Sequence, residues 1–159
     1  MKRNWQFLLI LMICFGTAYP IFALVEITVS GSWQETIDSG DLILGPEWML
    51  PSTYTSSANA ALVNISAKLR DNWIVSVSKI DSVWDPRMSL YIRRTGSGSG
   101  TGLISGGTSF QQLTPSGQTF FSGSNKRTGI PIQFQLTGMT LAIPPANRMT
   151  TILYTVTGS

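Results

Sequence analysis

The chain has 159 residues, of which 43% are hydrophobic and only 12% are charged. Eleven basic residues against eight acidic ones give a formal net charge of +3, and there is no histidine. Without histidine the chain cannot build a Ser-His-Asp triad, a histidine-assisted metal hydrolase or the usual proton shuttle of neutral pH.

The first predicted element is a secretory signal peptide over residues 1–23. Lys2 and Arg3 precede an apolar run at residues 7–15, and this order is typical of a signal peptide. A transmembrane helix would need about 20 apolar residues, and this run is too short. We expect cleavage after Ala23, with Ala18 as the alternative position.

Cleavage would release residues 24–159 as one exported domain, secreted or held at the cell surface, with the membrane involved only during export. The only cysteine, Cys14, would leave with the signal. Losing Lys2 and Arg3 leaves nine basic residues against eight acidic ones. A chain so close to neutrality lacks the basic surface that nucleic-acid binding requires.

The start of the mature chain is predicted to be a strand. Val25, Ile27 and Val29 alternate with Glu26 and Thr28, so the three apolar side chains share one face. This segment either completes a sheet of its own domain or inserts beside the sheet edge of another subunit as an assembly strand. We expect pairing in its own sheet, because sequential strands usually pair locally.

The next segment carries a cluster of acids. Paired carboxylates perform glycoside hydrolysis, but these acids match no catalytic spacing, and acidic side chains are mostly exposed. We therefore interpret them as solvated turn residues and predict a protein without enzymatic activity, with a small glycosidase as the weakest alternative. The cluster consists of Glu35, Asp38, Asp41 and Glu47.

Apolar residues then recur at every second position, which is typical of half-buried strands. Breakers rich in Gly, Pro, Asn, Asp and Ser separate these strands, and the pattern indicates a β-sandwich or barrel. Residues 62–69 and 73–79 are predicted to form a hairpin. Pro131 cannot donate to a ladder, so its strand is expected at a sheet edge or beside a bulge. The rows lie within residues 61–69, 73–77, 88–92, 130–136 and 152–156.

Several turn residues offer oxygen ligands that calcium accepts. They lack the spacing of a known calcium loop, so we predict turn chemistry and no bound metal or other cofactor. The residues concerned are Asp71, Asn72, Asp81 and Asp85.

Residues 95–109, TGSGSGTGLISGGTS, contain six glycines. A phosphate-binding loop would place backbone N–H groups at a helix N-terminus and add a lysine. The stretch contains no complete motif and no helical pattern follows it, so we predict a connector that forms a flexible or bulged hairpin end. The neighbouring pairs Arg93-Arg94 and Lys126-Arg127 are interpreted as solvated charge.

Aromatic residues provide candidate ligand contacts. Trp73 heads an apolar row and is predicted to lie in the core. Trp48 and Trp84 lie in or beside loops, where exposed rings, together with Tyr91, could stack on sugars. A carbohydrate-binding module using Trp48, Trp84 and Tyr91 is therefore the alternative prediction of function. The structural interpretation is that the tryptophan rings cover the ends of the core.

The ending IPPANRMTTILYTVTGS, residues 143–159, has a turn at Pro144-Pro145 followed by an alternating strand from Thr151 to Val156. This ending resembles the last strand of secreted bacterial β-sandwich proteins of the fimbrial, pilin-like and spore-coat-protein-U-like kind. The resemblance implies an immunoglobulin-like antiparallel β-sandwich displayed outside the cell, one that joins neighbours by strand addition.

From the sequence we expect a non-enzymatic exported β-sandwich that serves as a cell-surface, fibre or matrix component. Its expected partners are copies of itself or other surface proteins, with glycans as the partners of the alternative reading. No nucleic acid is expected.

Overall fold

The protein is represented by a computed structural model that describes residues 25–45 and 49–158. The predicted signal peptide, Glu47 and Trp48 lie outside these residues. Within the described ranges the helical structure is one 3-10 turn, Ser39–Asp41. None of the helical structure described here is long and apolar enough to span a membrane.

In the described residues, eleven strands, numbered β1–β11 in chain order, form two antiparallel sheets that pack face to face. The predicted all-β sandwich is therefore confirmed. The first sheet contains β1 (Glu26–Gly31), β2 (Thr53–Thr55), β3 (Ala61–Ser66), β5 (Ser89–Arg94), β6 (Ser99–Gly100), β8 (Gln111–Gln112) and β10 (Arg127–Thr137). The second sheet contains β4 (Asn72–Val83), β7 (Ile104–Gly106), β9 (Gln118–Ser124) and β11 (Met149–Gly158).

The strand order decides which backbone edges are open. The first sheet runs β1-β3-β10-β5-β8, and β2 and β6 each pair with β10. The second sheet runs β11-β4-β9-β7. The edge strands β1 and β11 approach each other across the two layers, with Cα atoms within 8 Å.

The alternating rows supply the core, as their period of two predicts. Val63, Val75, Ile92 and Ile132 are among the side chains fully buried between the sheets. Trp73 is fully buried as predicted, and its indole Nε1 donates to the Asn125 carbonyl oxygen at 2.8 Å. The row of β11 is half-buried and packs against this core.

The predicted hairpin of residues 62–69 and 73–79 is wrong. β3 ends at Ser66 and pairs with β1 and β10, whereas β4 belongs to the other sheet and pairs with β9 and β11. The two strands therefore face each other across the core. Two strands show the same alternation of apolar residues whether they are hydrogen-bonded neighbours in one sheet or lie in opposite sheets. Alternation alone therefore could not distinguish the two arrangements.

Pro131 lies in β10, an interior strand, so its predicted position at a sheet edge is wrong. The predicted bulge is confirmed between Arg127 and Ile130. The Pro131 carbonyl accepts a hydrogen bond from Thr95 N at 3.0 Å, just beyond the last residue of β5. The N–H and C=O of one residue point to the same side of an antiparallel strand. The N–H that Pro131 lacks would therefore point toward the chain just beyond the end of β5, where no ladder hydrogen bond is lost.

Candidate functional site

The glycine-rich stretch crosses from the first sheet to the second. β6 pairs with β10, and β7 pairs with β9 in the other layer. Its carbonyl oxygens are turned toward two arginines. Arg94 Nε donates to Gly106 O at 2.5 Å, and its Nη1 donates to Gly96 O at 3.2 Å. A phosphate cradle would instead present N–H groups. The stretch is a connector, as predicted, but it links the two layers and is held by hydrogen bonds, so the predicted flexible or bulged hairpin end is wrong.

The prediction of solvated charge is wrong for Arg94 and Arg127, each of which is only 7% exposed. The guanidinium of Arg127 donates to the carbonyl oxygens of Ser97 and Gly102. Burial lowers the pKa of Arg94, and the nearby charge of Arg127 lowers it further. Buried cations need polar partners, and here the partners are the carbonyls of the connector.

The acidic cluster makes local hydrogen bonds. Asp38 and Asp41 cap the 3-10 turn reciprocally, with Gly40 N donating to Asp38 Oδ1 at 2.7 Å and Asp38 N donating to Asp41 Oδ2 at 2.9 Å. Glu35 accepts from the Trp33 indole at 3.1 Å. These contacts are turn and capping chemistry, and Glu47 lies outside the described residues.

The calcium candidates lie at opposite ends of β4. Asn72 begins this strand and Asp81 lies nine residues later, which corresponds to about 30 Å in an extended chain. Asp81 binds the ammonium group of Lys79 at 2.7 Å, and Asp85 is held by both ends of the Arg87 guanidinium. That contact with Arg87 holds the pKa of Asp85 far below its usual value. In the described ranges, three or more His, Cys, Asp or Glu are nowhere grouped as metal ligands.

The aromatic candidates do not form one surface. Trp84 packs inward against the core, its Nε1 donates to Met88 O at 3.0 Å, and Lys79 Nζ lies 4.8 Å from its ring centroid. Tyr91 lies between the buried Leu90 and Ile92, and so it points away from the core. Trp48 lies outside the described residues.

A cavity of about 970 Å³ lies at one end of the sandwich and is called the end cavity below. The last residues of β10 and the first residues of β11 supply its two walls. Residues 32–42 and 139–149 cover it, and Trp33 stacks on Phe134 inside it with ring centroids 6.4 Å apart. Trp84, one of the predicted ligand-contact aromatics, also lines this cavity. The cavity itself was not predictable from the sequence, because aperiodic connections cover it.

Among the described strands that pair with one other strand only, β11 is the longest. Its ten residues, MTTILYTVTG, include no charged residue and no proline, and in the described chain it pairs with β4 alone. The other edge strands are shorter: β7 has three residues, β8 has two, and β1 has six and carries Glu26.

The segment with Val25, Ile27 and Val29 pairs in its own sheet, as expected, with β1 antiparallel to β3. Val25 and Ile27 pack against the core, whereas Val29 is 39% exposed and lines the end cavity. Its role as an assembly strand stays a prediction.

No protein-family model, curated protein or solved structure matches this chain.

Proposed function

We propose that the protein is a non-enzymatic structural component of a cell surface, fibre or matrix. Copies of the exported domain join to each other, or to other surface proteins, by adding a strand at the open edge of β11. The expected signal peptide supplies the route out of the cell.

The observation that carries this proposal is the unprotected edge of β11. An edge strand presents a row of unpaired N–H and C=O groups, and soluble proteins usually blunt such edges with charges, proline, bulges or short length. β11 has ten uncharged residues, and its one irregularity lies at its first pair, between Met149 and Thr150. An edge of this kind is a template for another strand.

The side chains near that edge add to the argument. Leu153 is 44% exposed on the outer face of β11, and Ile80 is 56% exposed on the same face of β4. Leu153 pairs with Ser78 and Thr151 pairs with Ile80, so the two apolar residues are diagonal neighbours. An added strand would extend this apolar surface and cover part of it.

The test compares two lysine substitutions on this face. We expect residues 24–159 to assemble with rising concentration, as measured by sedimentation velocity and negative-stain electron microscopy. Leu153→Lys places a charge on the edge strand itself and should raise the concentration required for assembly roughly tenfold or more.

Ile80→Lys is the matched control, because it places the same charge on the same face but one strand inside the edge. It should assemble like the parent protein. A parent protein that stays monomeric at every concentration would refute the proposal. Equal loss in both variants would indicate packing through the sheet face and would refute strand addition.

A further inference from the structure

The inner face of β11 leads into the covered end of the molecule, with one irregularity in its pairing with β4 between Met149 and Thr150. Arg148, Thr150, Ile152 and Tyr154 alternate with exposed residues, and all four line the end cavity. Six residues separate Arg148 from Tyr154, which corresponds to about 20 Å in an extended chain. The cavity is therefore elongated along β11, with a guanidinium at one end of the row and a phenol at the other.

Between these two polar groups the cavity is mainly apolar. Ile152, Phe134 and Leu136 all line it, and the rings of Trp33 and Phe134 are stacked with their planes 7° apart. Ligand sites in proteins have volumes of about 300–1,000 Å³ and combine such walls with a few fixed polar groups. The end cavity, at about 970 Å³, has both properties.

The polar groups at the two ends of the row are donors without acceptors. The Tyr154 hydroxyl and the Arg148 Nε are both buried and have no hydrogen-bond partner among the described residues. Buried polar groups are normally paired, and an exception requires an explanation. Both residues line the end cavity, but these two atoms are buried beneath its surface and do not themselves contact a molecule in it.

The charge of Arg148 favours an anionic acceptor at its end of the row, whereas Glu35 and Asp38 on the covering segment bring negative charge to the same cavity. In the described chain no carboxylate lies within ion-pair distance of Arg148, whose Nη2 donates to the Pro144 carbonyl at 2.9 Å. Asp85, the acid nearby, is already bound on both oxygens by Arg87. On the covering segment, Glu35 accepts from Trp33, and Asp38 accepts from Gly40.

We propose that the end cavity binds a long-chain carboxylate, with its hydrocarbon chain along Ile152 and the stacked rings of Trp33 and Phe134 and its carboxylate at Arg148. Guanidinium and carboxylate form charge-assisted hydrogen bonds, which are the strongest available to such a pair. This binding does not depend on strand addition at β11.

Dodecanoate and dodecanol are the probes, because they share one chain length and differ in charge. Both are titrated into residues 24–159 while the fluorescence of the tryptophans is recorded, with isothermal titration calorimetry as the second measurement. We expect saturable binding of dodecanoate in a one-to-one ratio, with an affinity at least about tenfold higher than that of dodecanol.

Arg148→Gln should lower the affinity for dodecanoate about tenfold or more, to that of dodecanol, and should leave dodecanol binding unchanged. Arg93→Gln is the control, because Arg93 lies on β5 between the buried Ile92 and Arg94 and so faces away from the cavity. Should Arg148→Gln fail to fold, dodecanol binding by the parent protein still tests the role of the charge.

Three results would overturn the inference: no saturable binding of dodecanoate, equal affinity for dodecanoate and dodecanol, or equal affinities in Arg148→Gln and Arg93→Gln. None of these results depends on whether the protein assembles. Failure of the ligand site and failure of the proposed function are therefore distinguishable.

Discussion

Gly123 shows how closely the core is packed around Trp73. The two residues are paired across β9 and β4. A Cβ at Gly123 would lie 2.5 Å from the Trp73 ring and 2.7 Å from the Leu103 carbonyl oxygen. The indole therefore occupies the space that any other side chain at this position would need.

We predict that Gly123→Ala lowers the free energy of unfolding by about 2–3 kcal/mol, because the fully buried indole must shift to admit a methyl group. Chemical denaturation followed by tryptophan fluorescence measures this change. Gly117→Ala is the control, because a Cβ there meets nothing within 4 Å. Equal stability of the two variants would contradict the packing at Trp73.

Three buried charges show what residue-level reasoning from the sequence could and could not find. Lys79 continues the inward row of Trp73, Val75 and Val77, so alternation alone places it inside. Arg94 likewise follows Leu90 and Ile92.

The buried position of Arg127 could not be predicted by counting alternate residues along the strand. Ile130 pairs with Val63, and unbroken alternation would put Thr128 opposite Ile65. The bulge adds one residue and brings Arg127 there instead. A bulge shifts every later residue by one position and therefore to the other face. Nothing in the local composition indicates which residue is the extra one.

At the scale of elements, the connector at residues 95–109 depends on the two buried arginines. Arg127 donates to carbonyls of Ser97 and Gly102, on either side of β6. Removing this guanidinium would remove two part-buried hydrogen bonds that hold the connector. The connector should then open more often.

We predict that Arg127→Met makes amide hydrogen exchange in residues 97–102 roughly tenfold faster or more. Arg93→Met is the control, because the Arg93 guanidinium binds Gln133 and lies over Phe110 without contacting β6. Exchange in residues 97–102 that is equal in both variants would show that Arg127 does not hold the connector.

The strands whose apolar residues alternate were predictable from the sequence, whereas the neighbours with which each strand pairs were not. The rows in β3, β4, β5 and β10 face the core as predicted. Which strands pair sideways depends on the crossings between layers, such as the connection from β3 to β4. That connection has Arg70 at φ +74° and a hydrogen bond from Arg70 N to Asn125 Oδ1. A long-range contact of this kind leaves no local signal in the sequence.

At the scale of the whole molecule, the two ends of the sandwich differ. One end is closed by the connector and its buried arginines, and the other holds the end cavity under two aperiodic connections. The two-layer architecture was predictable from the period-two rows. The cavity was not, because its covering segments carry no periodic pattern, and Trp33 was not among the predicted site residues.

The open edge of β11 is the feature on which the proposed function rests. If copies of the protein add strands there, the amides of β11 that point away from β4 gain hydrogen-bond partners on assembly. Residues 73–77 of β4 already have partner strands on both sides, and so their amides should not change.

The most direct test is therefore amide hydrogen exchange of residues 24–159, measured by mass spectrometry at low and at high protein concentration. We predict that exchange in β11 slows roughly tenfold or more at high concentration, while exchange in residues 73–77 of β4 stays constant. Exchange in β11 that is equal at both concentrations, whether the protein assembles elsewhere or not at all, would contradict strand addition at this edge.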